Sequence, residues 1–250
     1  MSPFASALDL PPPYRLVTLR EVGDAFAHAR AIAAQEGAGT LVHVGRFDLA
    51  EFAVVLEPEE PLRLARRAFY AGMVALLDAL AVRAPPEKAI AVDWPDTIRV
   101  DGGIVGGGRL AWPQDAREDE PPAWLVFGAM IRTVAMGEGE PGLRPLSSAL
   151  ADEGFDDLGS GALVESFARH LMVATDAWQE NGFGEVAKNY LPRLAPPSAG
   201  EGGKGLRRDI DENGDLLVRR SAIAQPERRS LARALAKPSW LDPGTGGPRT

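Results

Sequence analysis

The sequence predicts an α/β or α+β protein with one main domain of about 190 residues and a small β appendage behind it. Patterns typical of strands and of helices alternate as far as residue 191, which is the arrangement of a domain that layers helices on a sheet. The stretch 196–205 then has the composition of a linker, with four glycines in its last six residues. A chain of 250 residues with 45% hydrophobic content can bury a substantial core in such a domain.

The elements of the first half follow from periodicity and from breaking residues. Three prolines at 11–13 predict an extended lead-in. Apolar residues three and four positions apart predict an amphipathic helix over 21–35, and a wider apolar stripe predicts a second helix over 61–80. Between the strands predicted at 40–44 and 52–56, Gly45 to Asp48 is expected to be a solvated turn. Runs rich in β-branched or apolar residues predict strands at 14–19, 40–44, 52–56, 89–93 and 97–100.

The second half is predicted from the same signals. An apolar run predicts a strand over 124–134, broken by the glycines between 137 and 142. Ser160 is expected to cap a helix over 161–180, and a short helix should follow at 183–191. After the linker, Asn213-Gly214 predicts a hairpin over 206–220 with a type I′ turn. The tail from Arg228 should form one or two basic helical turns, and residues 243–250 should be disordered.

Composition excludes several classes of function. No cysteine is present, so disulfides, thiolate metal sites and cysteine nucleophiles are excluded. The 35 acidic and 27 basic residues give a net charge of −8, which argues against nucleic acid as a partner. Neither a signal peptide nor an apolar run of about 20 residues is visible, so a cytoplasmic protein without a membrane partner is expected. The three histidines have no metal-ligand spacing, and no protein-bound metal is expected.

The stretch from Ala91 to Leu110 is the most unusual part of the chain. It combines Trp94-Pro95-Asp96 with a short β-like run and five of the 27 glycines. Glycines placed in this way let a ligand approach main-chain N–H groups, which predicts a ligand cradle. The alternative that local composition leaves open is a β-hairpin with a glycine-rich turn and nothing bound.

Three motif matches fail on their context. Gly106 to Ala111 fits the dinucleotide-binding pattern, but Trp112-Pro113 follows where a helix should begin. Asp209 to Asp215 copies the first half of a calcium loop, but Arg220 stands where the last carboxylate should be, which favours a turn. Gly159-Ser160-Gly161 precedes a helix and does not form a nucleophile elbow.

Several segments, in their order along the chain, resemble the biotin/lipoate protein ligase family. Val92 to Ile98 is similar to that family's Lys-Trp-Pro-Asn-Asp-Ile strand and turn. Asp101 to Gly107 is similar to the Gly-Lys-Lys-Ile-Ala-Gly-Ile segment that follows it. The further similarities are 124–131 with the Val-Gly-Ile-Gly-Ile-Asn strand, Trp178 to Phe183 and Tyr190 with the element that closes the catalytic domain, and 205–219 with the small C-terminal β domain.

The resemblance implies a class II synthetase-like ligase fold, in which helices flank a mixed β-sheet and a small C-terminal β domain follows. It implies binding of a biotin- or lipoate-type acid with ATP and Mg²⁺, formation of an acyl-adenylate, and transfer of the acyl group to a lysine of a biotinyl- or lipoyl-carrier protein domain. A homodimer is the further partner that we expect. The implied organisation is a catalytic domain over 1–195, a linker over 196–205, a small SH3-like β segment over 206–225 and a tail over 226–250.

The implied ligand-binding residues lie in the glycine-rich stretch, but the cations of the family pattern do not match. The family's Gly-Arg-Gly-Arg-Arg-Gly loop clamps the adenylate, and this chain has only Val44 to Glu51 at its position, with Arg46 as the single arginine. Gly103 stands in place of the reactive lysine. The catalytic residues are therefore left unknown, and Arg109 and Arg46 are the cations expected as substitutes. The expected ligand-binding residues are Trp94, Pro95, Asp96, Gly103, Val105, Gly106 and Gly107.

The sequence leaves open whether the protein is an enzyme. The first hypothesis is a ligase-like protein whose acyl-adenylate chemistry is altered or lost. The second is a non-catalytic binding protein for a small acid or for a biotinyl- or lipoyl-carrier domain. A third, an octanoyl-transfer enzyme, is disfavoured because that branch depends on a site cysteine and lysine, and neither is found at the matching positions.

Overall fold

The computed structural model describes residues 8–136, 146–156, 158–197, 206–221, 223 and 225–250. The break expected between residues 137 and 142 and most of the linker expected over 196–205 lie outside these residues.

Seven strands form one mixed sheet in the described part of the main domain, in the spatial order β1-β2-β3-β7-β6-β5-β4. Only β1 and β2 pair in parallel, and the other neighbours are antiparallel. Together with the flanking helices, this sheet confirms the predicted fold class. The strands are β1 (Arg15–Leu19), β2 (Thr40–Val44), β3 (Leu49–Leu56), β4 (Ile90–Asp93), β5 (Thr97–Val100), β6 (Gly103–Ala111) and β7 (Leu125–Arg132).

Four helices cover one face of the sheet, which we call the helix face. The apolar stripe predicted for the fourth helix is confirmed, because Leu163, Phe167 and Leu171 are buried. Phe167 joins the helix to the sheet, with its ring centroid 4.6 Å from that of Phe52 and 5.6 Å from that of Phe127. The helices are α2 (Leu62–Ala65), α3 (Ala68–Ala81), α4 (Ser160–Asn181) and α5 (Phe183–Tyr190).

Two helix predictions need correction. The single helix expected over 61–80 is divided between α2 and α3 at Arg66 and Arg67, where the backbone stays right-handed but the N–H of Arg67 bonds the carbonyl of Leu64, three residues back. At this break the side chains of Arg66 and Arg67 bond those of Glu118 and Glu60. Ser160 is not a cap: α4 begins at Ser160 itself, and the Ser160 hydroxyl donates to the carbonyl of Arg46 at 2.5 Å.

On the opposite face, the part of the chain that the structure describes contributes one helix, α1 (Ala25–Glu36). It packs on the apolar side chains of β2 and β3, including Val42 and Ala53. The helix begins at Ala25 and not at Glu21, because the carboxylate of Asp24 accepts the N–H of Ala27 and caps the first turn. Val22, which the sequence placed on the buried stripe, is exposed.

The C-terminal residues form a second, three-stranded sheet, in the order β10-β9-β8. Its strands are β8 (Arg207–Ile210), β9 (Leu216–Arg219) and β10 (Glu227–Arg229). The hairpin of β8 and β9 confirms the predicted pair of strands, but its turn is not type I′. That turn needs positive φ at two residues, whereas only Gly214 has it here, and Asp211 Oδ1 accepts the N–H groups of Asn213 and Asp215. The sequence prediction missed β10, and the predicted domain boundaries stay a prediction.

The tail contains helix α6 (Leu231–Leu235), which Ser230 caps. This helix confirms the helical turns that the sequence predicted after Arg228. The expectation of disorder over 243–250 is wrong. Residues 238–250 fold back on the main sheet, Leu241 forms a β-bridge with Pro248, and Trp240 is completely buried. Among the described residues, no helix combines the length and the apolar character that crossing a bilayer requires.

Candidate functional site

The glycine-rich stretch forms a central strand and its hairpin turn. Asp101 and Gly102 turn the chain with φ values of 48° and 88°, and β6 then runs between β5 and β7. Gly106 has φ 150°, and a Cβ at this residue would lie 1.9 Å from the carbonyl oxygen of Met130. Only glycine therefore fits at residue 106, because the neighbouring backbone would collide with any side chain.

The face of the sheet opposite to the helix face carries the polar groups of the site, and we call it the open face. Cross-strand partners place Glu51, Met130 and Gly107 in one row across β3, β7 and β6. The next row contains Ala53, Gly128 and Arg109. Alternate residues of a strand point to the same face, so Arg109 lies roughly 7 Å along β6 from Gly107.

Arg109 is held in a mostly buried position against the start of α1. Its guanidinium lies 4.1 Å from the ring centroid of Phe26, and Nη2 forms an ion pair with Asp24 Oδ1 at 3.3 Å. Burial lowers the pKa of Arg109, while the charges of Asp24 and Glu51 raise it. Within the described residues, the buried Nε of Arg109 has no hydrogen-bond partner. The site therefore contains a cation with one donor left for an acceptor.

Glu51 is the buried acid beside this cation. Its side chain accepts the N–H of Ala25, the first residue of α1, at 2.9 Å. Burial raises the pKa of Glu51, while the hydrogen bond from Ala25 and the charges of Arg109 and Arg46 lower it. The positive end of the helix dipole also favours a carboxylate at this position. Sequence analysis missed Glu51, although it is the single charge in the otherwise apolar strand β3.

Arg46 does not join Arg109. Only four residues, 45–48, connect β2 to β3, and Arg46 donates from Nε and Nη2 to the two carboxylate oxygens of Asp48, at 2.8 and 2.6 Å. The Arg46 carbonyl accepts the Ser160 hydroxyl, and the Phe47 carbonyl accepts the Thr133 hydroxyl. The connector is thus fixed to α4 and to the end of β7, although Gly45 and Phe47 are exposed, as expected for a solvated turn.

Trp94 and Pro95 are held from the helix face. The indole N–H of Trp94 donates to the hydroxyl of Tyr70 at 3.0 Å, and the carbonyl of Pro95 accepts the hydroxyl of Tyr190 at 2.7 Å. The Trp94-Pro95 peptide bond is cis. Val105 is buried in the same helix-side core. These three predicted ligand-binding residues therefore do not line the open face with Arg109.

Asp96 and Gly107 meet the C-terminal tail on the open face. The carboxylate of Asp96 accepts the backbone N–H of Ser239 at 3.0 Å and the Ser239 hydroxyl at 2.5 Å. The indole of Trp240 lies on Gly107, where a Cβ would be 2.4 Å from the ring, and its N–H donates to the carbonyl of Gly108 at 2.9 Å. Sequence analysis missed Ser239 and Trp240, because no local pattern predicts contacts with residues so far away in the chain.

Gly103 is the first residue of β6 and lies against the segment that follows β7. A Cβ at residue 103 would lie 2.7 Å from Ser148 Cβ and 3.2 Å from the backbone nitrogen of Ser148. A side chain at residue 103 would therefore displace the backbone of its neighbour.

A separate cleft of about 480 Å³ separates the edge of the main sheet from the small sheet. Trp94 forms part of one wall, and the four arginines of the lining have protein partners. Arg99 pairs with Asp93, Arg208 donates to the Ala195 carbonyl, and Glu227 pairs with the other two. Among the described residues, no group of three His, Asp or Glu side chains is arranged to hold a metal ion.

Comparison with known proteins matches the chain to one family, and a related protein is a ligase of the same kind. The model of the biotin/lipoate A/B protein ligase family matches residues 10–192. A biotin–[acetyl-CoA-carboxylase] ligase from Paracoccus denitrificans is 26% identical over 183 residues, which cover 69% of this chain and 74% of that protein.

Solved structures agree with this match. A biotin protein ligase-like protein of unknown function from Silicibacter sp. TM1040 superposes with a TM-score of 0.75 and 26% identity, covering 92% of this chain and 100% of that chain. A mutant of the biotin protein ligase from Aquifex aeolicus, in complex with biotin, has a TM-score of 0.63 and 13% identity, covering 87% of this chain and 95% of that chain. The second similarity concerns the fold alone.

Proposed function

The chain belongs to the biotin/lipoate A/B protein ligase family, and from that premise we propose that it binds a biotin- or lipoate-type acid on its open face without forming an acyl-adenylate in the ordinary way. The observation that carries this proposal is the four-residue connector between β2 and β3, in which Arg46 is already paired with Asp48.

The connector matters for adenylate formation because it lies at the position of the family's adenylate-clamping loop, and that reaction brings a carboxylate and a phosphate together. Cations and backbone N–H donors must neutralise both groups while one attacks the other. The bidentate pair with Asp48 neutralises Arg46, and the fixed carbonyls of Arg46 and Phe47 leave the connector little freedom to close over a ligand. These contacts support the loss of a phosphate clamp at this position.

Gly103 supports the same proposal. The resemblance places the family's reactive lysine at this position, and the close approach of Ser148 leaves no room for a side chain there. Arg109, the cation beside Glu51 on the open face, lies six residues further along β6 than Gly103.

Binding of an acid is supported by Arg109. Its buried Nε has no hydrogen-bond partner among the described residues, so this donor is unsatisfied. A carboxylate is the acceptor that a guanidinium binds best, because two N–H groups can donate to its two oxygens. The exposed Asp24 is the present partner of Nη2, and an acid ligand would compete with it.

The proposal is tested by measuring binding and chemistry separately. We expect calorimetry to detect binding of biotin or lipoate to the wild-type protein, and Arg109→Gln to weaken it about tenfold or more, since hydrogen bonds to charged groups contribute about 1.5–3 kcal/mol. Arg117→Gln is the matched control, because Arg117 is a surface residue with its side chain 67% exposed, and it should leave binding unchanged.

The second measurement is release of pyrophosphate in the presence of ATP, Mg²⁺ and each acid, where we expect no release above background. Release that depends on the acid would support an active ligase and overturn the proposed loss of chemistry. If neither acid binds, but a biotinyl- or lipoyl-carrier domain does, the protein is a carrier-binding module. ATP with Mg²⁺ as cofactors, the homodimer and the cytoplasmic location stay predictions.

A further inference from the structure

We propose that residues 238–250 are a built-in occupant of the ligand site, which must leave Gly107 and Asp96 before a ligand that extends beyond Arg109 can bind. We call these residues the C-terminal plug. The plug would regulate access to the open face. This inference rests on the proposed function, which places the acid at Arg109.

The fit of Trp240 is the first observation. The indole is completely buried between the glycine strand and the side chains of Leu49 and Met130. The glycine at residue 107 is what permits this packing, because a Cβ there would lie 2.6 Å from the indole nitrogen. The open face thus has a flat recess in which the carbonyl of Gly108 is a hydrogen-bond acceptor. The plug fills this recess with the Trp240 ring, whose N–H donates to that carbonyl.

The buried carboxylate of Asp96 is the second observation. Only 1% of Asp96 is exposed, and both of its oxygens accept hydrogen bonds from Ser239, with Thr97 adding one more. Departure of the plug would take both Ser239 donors from Asp96 and leave its carboxylate to water or to a ligand with N–H groups. The recess and Asp96 together would accept a ring with N–H donors, such as a cyclic urea or amide.

The attachment of the plug is the third observation. Outside Ser239 and Trp240, it is held by Arg132, which donates to the carbonyls of Pro248 and Arg249 at 2.7 and 3.3 Å. Leu241 also packs against the cluster that contains Leu49 and Met130. The plug's other contacts are largely internal: Arg249 donates to the carbonyls of Ser239 and Trp240. Residues 243–246 are exposed. Leu231 and Leu235 of α6 are buried in the core beneath the small sheet, so the plug can leave while α6 stays in place.

The test uses the chain ended after Lys237 and a synthetic peptide of residues 237–250. We expect the peptide to bind the shortened chain and the same peptide with Trp240→Ala not to bind, as measured by fluorescence anisotropy. We also expect the shortened chain to bind the acid at least about tenfold more tightly than the full chain, since the plug lowers the fraction of binding-competent molecules. A folded shortened chain that binds neither the peptide nor the acid more tightly would overturn the inference.

A measurement on the full chain covers the case in which the shortened chain does not fold. Hydrogen exchange at the backbone amides of Ser239 and Arg249, which donate to the Asp96 carboxylate and to the Trp240 carbonyl, should become faster when biotin or lipoate is added. Unchanged or slower exchange would refute the plug. If no acid binds any form of the chain while the peptide still binds the shortened chain, the proposed function fails and the plug remains. If the acid binds but the peptide does not bind the shortened chain, the proposed function stands and the plug is refuted.

Discussion

The hydroxyl of Tyr70 joins the glycine-rich stretch to the small sheet. It is completely buried, donates to the carbonyl of Gly214 at 2.7 Å and accepts the indole N–H of Trp94 at 3.0 Å. The change Tyr70→Phe removes this oxygen and keeps the ring, so that packing is preserved and only the two hydrogen bonds are lost.

The expected loss follows from the two partners. A buried donor or acceptor left without a partner costs about 1–3 kcal/mol. The Gly214 carbonyl is in a buried residue, whereas Trp94 is only partly buried and water can reach part of it. We therefore expect Tyr70→Phe to lower the free energy of unfolding by about 2–4 kcal/mol, out of the roughly 5–15 kcal/mol typical of a folded domain.

Urea unfolding followed by circular dichroism measures this loss. Tyr14→Phe is the matched control, because the Tyr14 hydroxyl makes a single hydrogen bond, to the Ala168 carbonyl, and its removal should cost about 1 kcal/mol. Trp94→Phe and the double variant complete a cycle, in which a coupling of about 1 kcal/mol between Tyr70 and Trp94 is expected. If Tyr70→Phe cost no more than Tyr14→Phe, the bridging role of the hydroxyl would be refuted.

Two further predictions concern the open face. Burial raises the pKa of Glu51 above its ordinary 4.5, so in the pH window above 4.5 the native state still holds a proton that the unfolded chain has released. The free energy of unfolding should therefore fall as the pH rises through this window. In a series of melting temperatures measured at different pH values, Glu51→Gln should remove this part of the slope. Identical slopes for both proteins would contradict this. Gly106→Ala should cost about 3 kcal/mol or more, because its Cβ meets the Met130 carbonyl, whereas Gly102→Ala, with open space and φ 88°, should cost about 1–2 kcal/mol in urea unfolding. Equal losses would show that the close contact at Gly106 is relieved.

The strands and the last long helix could be predicted from sequence because their signals are local. The strand at 40–44 and the buried stripe of α4 depend on patterning and on breaking residues that adjoin them. The division of the 61–80 helix could not be predicted in this way. It coincides with the contacts of Arg66 with Glu118 and of Arg67 with the carbonyl of Glu212, which link distant parts of the chain.

The candidate site was predicted only where its residues belong to one local sequence pattern. The glycine-rich stretch is visible as a composition, and it led to Asp96, Gly107 and Arg109, which lie on the open face. Trp94, Pro95 and Val105 were grouped with them because they are neighbours in sequence, although the helix side of the structure holds them. Glu51 and Trp240 join the site only through the register of the sheet and the return of the tail, and no local pattern encodes either.

The contact between Gly103 and Ser148 also constrains how this lineage can change. If an ancestor carried a lysine at position 103, its loss allowed the chain after β7 to settle against β6, and this packing now opposes the return of any side chain. Restoring the lysine would require a second change that moves residue 148, and a functional clamp would further require an insertion between Val44 and Leu49. Neither change alone would restore the family pattern, so a single substitution at residue 103 cannot reverse the present packing.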